Sequence, residues 1–141
     1  MTRRTILRVI DANTNRALEG LRVCEEIVRF HLERPRLFRR LRALRHDVAL
    51  AVRQLPVASV ELVRSRQSRR DVGRCAPAGP VRFLDQLAII NFQRTKESLR
   101  TLEECARLIA PRAVGTFQRL RFRTYDAERD ILLRLAALRH P

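Results

Sequence analysis

The chain contains few of the residues that interrupt helices and few aromatic residues. Its 141 residues include four glycines, six prolines, one methionine and no tryptophan, and aromatic residues make up 5% of it. No apolar run approaches the roughly 20 residues that a membrane span needs. The first residues lead into an amphipathic segment and not into the apolar core of a signal peptide. We therefore expect a cytoplasmic protein without a membrane segment.

Three cysteines are too few and too widely spaced for a disulfide framework. Cys24, Cys75 and Cys105 form no Cys-x-x-Cys pair, and their odd number indicates reduced thiols. Cys24 and Cys105 fall on apolar helix faces, where a free cysteine usually packs as a small core residue. Other motifs are also missing: the chain has no P-loop, no dinucleotide-binding glycine turn, no His-Glu-x-x-His and no nucleophile elbow. A P-loop fold and a dinucleotide-binding fold are therefore excluded.

Acidic residues are outnumbered two to one, with 30 Lys+Arg against 15 Asp+Glu and a formal net charge of +15. Lys96 is the only lysine, so almost all of this charge is carried by arginine. The arginines could form solvated helix surfaces, or they could attract ligands that carry phosphate. Nucleic acid is an unlikely partner, because lysine and aromatic residues are scarce and the polar residues recur as an internal repeat. Net charge alone does not distinguish solvated helix surfaces from a surface that attracts phosphate-bearing ligands.

Apolar residues recur at helical spacing in four segments, which predicts four amphipathic helices. The first segment runs from Ile6 to His31, and Pro35 is expected to end it. The other three run over 37–55, 84–106 and 117–138, and prolines stand at 56 and 111. The fold is therefore predicted to be all-α.

A polar pattern in the first segment occurs again in the third. Eight residues recur 78 positions later: Asn13, Arg16, Glu19, Leu21, Arg22, Glu25, Glu26 and Arg29 return as Asn91, Arg94, Glu97, Leu99, Arg100, Glu103, Glu104 and Arg107. A shorter match, Leu41-Arg42 with Asp47, returns as Leu120-Arg121 with Asp126, 79 positions later. Such self-similarity indicates a duplication.

The duplication predicts a four-helix bundle made of two duplicated helical hairpins. The whole chain, 1–141, would be a single helical domain, with repeat halves at about 5–55 and 83–139. Residues 56–82 would form a long central crossover loop. Loops of this length are usually either functional or disordered, so the segment is either a flexible connection or a lid over a ligand.

The repeated polar residues do not all fall on the expected solvent face. Asn13 and Gly20 lie inside the apolar stripe of the first helix, with Arg16 on its edge. A buried amide needs a hydrogen-bond partner, and a glycine in mid-helix suggests a close approach by another segment. In one interpretation, the asparagines lock the helix register and Arg16 pairs with Glu97. In the other, the two copies converge on a bound phosphate.

Several stretches resemble a known family. They are RVIDANTNRALEGLRVCE at 8–25, ALRH at 43–46, RDVG at 70–73, NFQRTKESLRTLEE at 91–104 and RFRTY at 121–125. Together they resemble the monofunctional hydroxymethylpyrimidine phosphate kinase family, the helical domain often found ahead of bacterial thiamine phosphate synthases. The resemblance implies ATP-dependent phosphorylation of hydroxymethylpyrimidine phosphate to its diphosphate, with Mg²⁺. A non-catalytic interaction module that partners thiamine phosphate synthase is the alternative, and a homo-oligomer is possible.

The repeat and the resemblance together suggest roles for particular residues. Phosphate or substrate binding is assigned to Asn13, Arg16, Arg22, Arg45, Arg70, Asn91 and Arg94. Catalytic roles, as magnesium ligand or proton acceptor, are assigned to Asp71, Glu19 and Glu97, and metal binding to Asp71, Glu25 and Glu103. Arginine and carboxylate side chains are the groups that a phosphoryl transfer without a P-loop requires.

Overall fold

The computed structural model describes residues 2–139, which form helices and connecting segments and contain no β-strand. The α-helices are α1 (Arg3–Ile27), α2 (Pro35–Arg53), α3 (Ser59–Ser65), α4 (Leu84–Ile109) and α5 (Val114–Arg139). The predicted all-α class is confirmed. None of the described helices is long and apolar enough to cross a membrane. The expected domain 1–141 also includes residues 1, 140 and 141, which lie outside the described part.

The junction between α1 and α2 is made by one left-handed residue and one proline. After α1, a π-helical turn covers Val28–Leu32. Glu33 then adopts a φ of 52°, and its N–H donates to the Val28 carbonyl at 2.8 Å. Pro35 is the first residue of α2, where a missing N–H costs no helical hydrogen bond. Pro35 therefore does not itself end the first helix as expected: the π-helical turn ends at Leu32, and Pro35 begins α2.

The four long helices pack around one core. Helix α1 packs against α2 and α4, and α5 packs against the same two helices. Helices α1 and α4 are antiparallel: Cys24 Sγ lies 3.8 Å from the Ala88 carbonyl oxygen, and Thr95 Oγ1 lies 3.2 Å from that of Ala17. The core is mostly aliphatic, as the low aromatic content predicts, with Phe92 as one of its fully buried rings.

The second helices of the two halves correspond in a register that differs from the predicted one. Buried residues on α2 match buried residues on α5 76 positions later, namely Leu41 with Phe117, Leu44 with Leu120, Val48 with Thr124 and Ala51 with Ala127. The predicted offset of 79 also pairs buried residues, such as Leu41 with Leu120 and Val48 with Ala127, but it pairs fewer of them. It aligned short identical stretches, whereas burial follows the face that each helix turns toward the core.

Two ion pairs link the first and second helix of each half. Glu25, 1% exposed, accepts hydrogen bonds from Arg45 at 2.6 and 3.2 Å. Glu103 accepts one from Arg121 at 3.1 Å. Glu103 follows Glu25 by 78 positions and Arg121 follows Arg45 by 76. The two pairs thus occupy equivalent places in the corrected register.

The connection between the halves is partly helical. Helix α3 packs on α1 and begins where the Glu61 carboxylate accepts the Ala58 N–H at 2.8 Å. Glu61 also pairs with Arg3 at 3.2 Å, which ties α3 to the start of α1. The predicted crossover loop therefore contains an ordered helix in its first part, followed by the exposed residues 68–82.

Candidate functional site

A polar cleft lies between the first half of α1, the second half of α4 and residues 66–72. It encloses about 810 Å³, which is within the usual range for small-molecule sites. Its lining from α1 includes Arg8, Asp11, Asn13, Asn15, Arg16 and Glu19, and that from α4 is Glu97, Ser98 and Thr101. The connecting segment contributes Arg66, Gln67, Ser68, Arg70, Asp71 and Val72.

An ion pair holds the connecting segment beside the cleft. The Arg66 guanidinium donates to both Asp11 oxygens at 2.7 Å, in the two-pronged geometry that suits a carboxylate. Asp11 is buried on α1, and its hydrogen bonds raise the pKa of Arg66. Further along, Asp71 Oδ1 accepts the Gly73 N–H at 2.8 Å, which shapes the turn at the end of the segment. Residues 67–72 are thereby positioned over the polar cleft.

Charges of both signs line the polar cleft. Arg8, Arg16 and Arg70 form no ion pair with any described residue, and the same holds for the carboxylates of Glu19, Asp71 and Glu97. With the Asp11–Arg66 pair, the lining has four arginines and four acidic residues and is formally neutral. This contrasts with +15 for the whole chain. The lining therefore differs from a uniformly basic nucleic-acid surface.

Of the two buried residues that line the polar cleft, Asp11 is paired with Arg66 and Ser98 is uncharged. Asn13 Nδ2 donates to the Val9 carbonyl at 2.9 Å, and Asn15 Nδ2 donates to that of Asp11 at 3.0 Å. Ser98 is 1% exposed, and its Oγ has no hydrogen-bond partner among residues 2–139. A buried hydroxyl of this kind is uncommon in proteins.

The structure brings together about half of the predicted site residues. Those that line the polar cleft are Asn13, Arg16, Glu19, Arg70, Asp71 and Glu97. Those that lie elsewhere are Arg22, Glu25, Arg45, Asn91, Arg94 and Glu103. Arg45 is held by Glu25, and Arg22 by Glu26 at 3.3 Å. The two copies of the repeat therefore contribute unequally to the polar cleft, since Glu19 and Glu97 both line it whereas Asn91 and Arg94 do not.

The antiparallel packing of α1 and α4 separates Asn13 from Asn91. Thr95 follows Ala17 by 78 positions, and Thr95 Oγ1 contacts the Ala17 carbonyl, so equivalent residues face each other where the helices cross. One turn away, Gly20 packs against the Asn91 backbone. On the other side of the crossing, Asn13 and Ser98 line the polar cleft. A two-fold relation of antiparallel helices places Asn13 and Asn91 on opposite sides of the axis.

The expected close approach at Gly20 is confirmed. A Cβ atom there would lie 2.5 Å from Thr95 Oγ1 and 2.7 Å from the Asn91 carbonyl oxygen. Real Cβ contacts are essentially never this short, so only glycine fits. The asparagines likewise satisfy their amides locally, since Asn91 Nδ2 donates to the Leu87 carbonyl at 2.9 Å. The predicted pairing of Arg16 with Glu97 is absent from the described ion pairs.

The predicted metal ligands Glu25 and Glu103 do not form a metal site. Both are buried and accept hydrogen bonds from arginines, Glu25 with both oxygens and Glu103 with one. Within residues 2–139, no group of three or more histidine, cysteine or acidic side chains is placed to hold a metal ion. The structure therefore gives no support to Glu25 and Glu103 as metal ligands, because these carboxylates pair the helices.

The repeat did not identify four residues that line the polar cleft. Arg8 and Asp11 would correspond to Gln86 and Ile89, so no repeated identity marks them. Arg66 lies 55 positions from Asp11, in the irregular segment, and only the fold brings them together. Ser98 has a different residue, Gly20, at the equivalent position, so no identity marks it either. The family resemblance does point to two of them, because its first stretch, 8–25, includes both Arg8 and Asp11.

A second concavity of about 470 Å³ lies between α1 and α4 on the other side of their crossing. We call it the apolar groove; it is lined by Arg22, Val23, Glu26, Ile27, Phe30, His31, Leu84 and Leu87. Leu87 is the repeat equivalent of Val9 in the polar cleft, and Val23 that of Thr101. No connecting segment lines the apolar groove, and Phe30 is 65% exposed.

The cysteines are not reactive groups of the site. Cys24 and Cys105 are buried, as predicted, and Cys75 is exposed. Burial and then the Glu128 charge raise the pKa of the Cys24 thiol. Burial and then Glu104 raise that of Cys105. Both thiols therefore stay protonated, and they pack as core residues.

Comparison with known proteins relates the chain to one family. Residues 8–130 match the ThiD2 family. The chain is 36% identical over 138 residues to the thiamine-phosphate synthase of Rhodopirellula baltica, which covers 96% of this chain and 36% of that protein. It is 36% identical over 130 residues to the thiamine-phosphate synthase of a Synechocystis species, covering 90% and 36%. The chain thus spans little more than a third of these curated relatives. No solved structure matches it.

Proposed function

Because the chain belongs to the ThiD2 family, we propose that it acts in thiamine biosynthesis as an ATP-dependent kinase that converts hydroxymethylpyrimidine phosphate to the diphosphate. The polar cleft is the main support for this proposal. It combines arginines that have no ion-pair partner among the described residues with uncharged side chains such as Asn13 and Ser98, in a volume of about 810 Å³. A substrate with a neutral ring and an anionic tail requires these two kinds of surface.

Arg8, Arg16 and Arg70 would bind the phosphates. The reaction joins a phosphate monoester to the γ-phosphoryl group of ATP, so two strongly anionic molecules must be held together. Fixed cationic groups offset this repulsion and stabilise the charge that develops during phosphoryl transfer. The guanidinium group binds phosphate through two parallel hydrogen bonds. Arg16 and Arg70 are exposed at the rim of the polar cleft, where a phosphate could reach them.

The carboxylates suit a magnesium ion that arrives on ATP. Mg²⁺ usually takes one or two protein carboxylates together with substrate phosphates. Glu19, Asp71 and Glu97 line the polar cleft and could provide these contacts, whereas Glu25 and Glu103 could not. When bound, Mg²⁺ neutralises charge on the nucleotide phosphates. A general base is not required, because a phosphate monoester has a second pKa of about 6 and is mostly a dianion at pH 7.

An ADP-release assay with magnesium ATP and hydroxymethylpyrimidine phosphate tests the proposal. We expect substrate-dependent ADP formation and its loss in Arg16→Ala. The matched control is Arg94→Ala, because Arg94 is the repeat equivalent, is exposed and lies outside the polar cleft. Wild-type protein without turnover above background would contradict the kinase. Equal losses in both variants would contradict the assignment of the polar cleft.

The apolar groove favours a second candidate function, a non-catalytic module that binds thiamine-phosphate synthase. Exposed apolar side chains such as Phe30 and Leu84 line it, and apolar patches of this kind often mark protein interfaces. The curated relatives are thiamine-phosphate synthases almost three times as long as the matched region, so we take a synthase as the partner. Phe30→Asp should abolish co-purification with the synthase. Self-association instead would indicate a homo-oligomer.

The proposal includes the architecture and location. We propose a single helical domain, a four-helix bundle derived from a duplicated hairpin, in the cytoplasm. The equivalent pairs Glu25–Arg45 and Glu103–Arg121 support the duplication, because they link the same positions in both halves. The antiparallel crossing of α1 and α4 near Ala17 and Thr95 agrees with it.

A further inference from the structure

The hydroxyl group of Ser98 has no hydrogen-bond partner among the described residues. Its Oγ is buried and accepts or donates no hydrogen bond among residues 2–139. Two other buried hydroxyls are satisfied: Thr124 Oγ1 donates to the Leu120 carbonyl at 2.9 Å, and Ser65 Oγ donates to that of Leu62 at 2.7 Å. Burying an unpaired hydroxyl costs free energy. We therefore expect a bound molecule to supply the hydrogen-bond partner of Ser98 Oγ.

Ser98 lines the polar cleft, together with Asn13 and Asn15 of α1. At the equivalent position in the other half stands Gly20, where the α4 backbone approaches so closely that a Cβ would overlap the Asn91 carbonyl. The two halves thus differ: the interface is closed at Gly20 and opens into a cleft at Ser98. Thr14 Oγ1 is also unpartnered, but it lines none of the clefts described here.

The side chains that line the polar cleft differ in exposure. Arg16 and Arg70 are exposed, whereas Arg8, Asn13 and Asn15 are half-buried. Ser98 is 1% exposed, and the other buried lining residue, Asp11, is paired with Arg66. A hydroxyl both donates and accepts a hydrogen bond and has no charge. It suits the amino group or ring nitrogen of a heteroaromatic ring and not a phosphate, for which arginine is available nearer the rim.

We propose that Ser98 Oγ recognises the polar edge of the substrate's aminopyrimidine ring, with the ring in the buried part of the cleft and the phosphates at its arginine-lined rim. This inference rests on the proposed function and adds the orientation of the substrate and a residue that determines its specificity. A site built to hydrogen-bond a polar ring edge rejects rings that lack it, because the buried hydroxyl would again be unpaired.

Calorimetric titration of Ser98→Ala with two probes tests the orientation. The first probe is hydroxymethylpyrimidine phosphate, and the second is inorganic pyrophosphate, which has no ring. We expect binding of the pyrimidine to weaken about tenfold and binding of pyrophosphate to stay unchanged. Thr124→Val is the matched control, because it removes a buried hydroxyl far from the polar cleft and should leave both affinities at the wild-type level.

Thermal unfolding without ligand gives a second readout. Ser98→Ala removes an unpaired hydroxyl and should keep or raise the melting temperature, whereas Thr124→Val removes a satisfied one and should lower it. A Ser98→Ala protein that melts lower and binds the pyrimidine as tightly as wild type would overturn the inference. Equal weakening for both probes would also overturn it. The proposed kinase fails separately, when wild-type protein binds the pyrimidine but shows no turnover.

Discussion

Thr95 Oγ1 lies 3.2 Å from the carbonyl oxygen of Ala17, its own equivalent in the internal repeat. This contact marks where the two equivalent helices cross, with Thr95 fully buried between them. The first copy of the polar pattern contributes Asn13, Arg16 and Glu19 to the polar cleft, whereas the second contributes Glu97 and leaves Asn91 and Arg94 outside it.

Gly20→Ala should destabilise the protein. Alanine gains about 0.5–1 kcal/mol from helix propensity, but its Cβ would overlap the Asn91 backbone. Overpacking of this kind costs about 1–3 kcal/mol, so we expect a net loss of about 1–2 kcal/mol in urea unfolding. Gly115→Ala is the control, since its Cβ would meet only the movable end of Arg119. Equal stability of the two variants would show that α1 and α4 can separate freely at Gly20.

Removing Arg45 should cost more than neutralising Glu25. Arg45→Met leaves the Glu25 carboxylate buried without its partner, which should lower the free energy of unfolding by about 3–5 kcal/mol at pH 7. Glu25→Gln leaves Arg45, whose side chain is 22% exposed and can reach water, so the loss should be about 1–2 kcal/mol. Folded Glu25→Gln protein should also keep its turnover. If the turnover of this variant no longer depended on magnesium, Glu25 would be a metal ligand after all.

Breaking the Asp11–Arg66 pair should loosen the segment over the polar cleft. In Arg66→Ala, we expect amide hydrogen exchange of residues 67–72 to quicken about fivefold, since a half-exposed pair contributes up to about 1 kcal/mol. Turnover should fall with it, because Arg70 and Asp71 belong to this segment. Arg69→Ala is the control: Arg69 is in the same segment but does not line the polar cleft. Unchanged exchange in Arg66→Ala would mean that the segment is held by other contacts.

Lowering the pH should weaken the contact between α2 and α5 that is made by the ion pair of Arg40 with Asp130. The hydrogen bond from Arg40, then its charge and that of Arg129, lower the pKa of Asp130. A carboxyl whose folded pKa is lowered adds stability above its unfolded pKa of about 4, and this stability disappears as the pH falls through the folded value. In Asp130→Asn, the urea concentration at the midpoint of unfolding should therefore fall less between pH 5 and pH 2 than it does in the wild type. Asp126→Asn, which removes an exposed acid with no described ion pair, should keep the wild-type slope.

The sequence alone was sufficient for the helices and for part of the site. Apolar residues at helical spacing predict the long helices, because each helix must bury one stripe of its surface. The predicted core positions of Cys24 and Cys105 and the close approach at Gly20 follow from the same stripe. Arg16 and Asp71 were also selected from patterns and line the polar cleft.

The tertiary structure decided which of the repeated residues share a site. Identity at a fixed spacing does not tell which side of a two-fold axis a side chain faces, so Arg94 could not be separated from Arg16 by pattern. The partners of Glu25 and Glu103 depend on the register of the second helices, which burial sets and short identities misjudged. The pairing of Asp11 with Arg66 joins residues 55 positions apart. Only packing brings such distant side chains into contact, because no local preference of the chain encodes their separation in space.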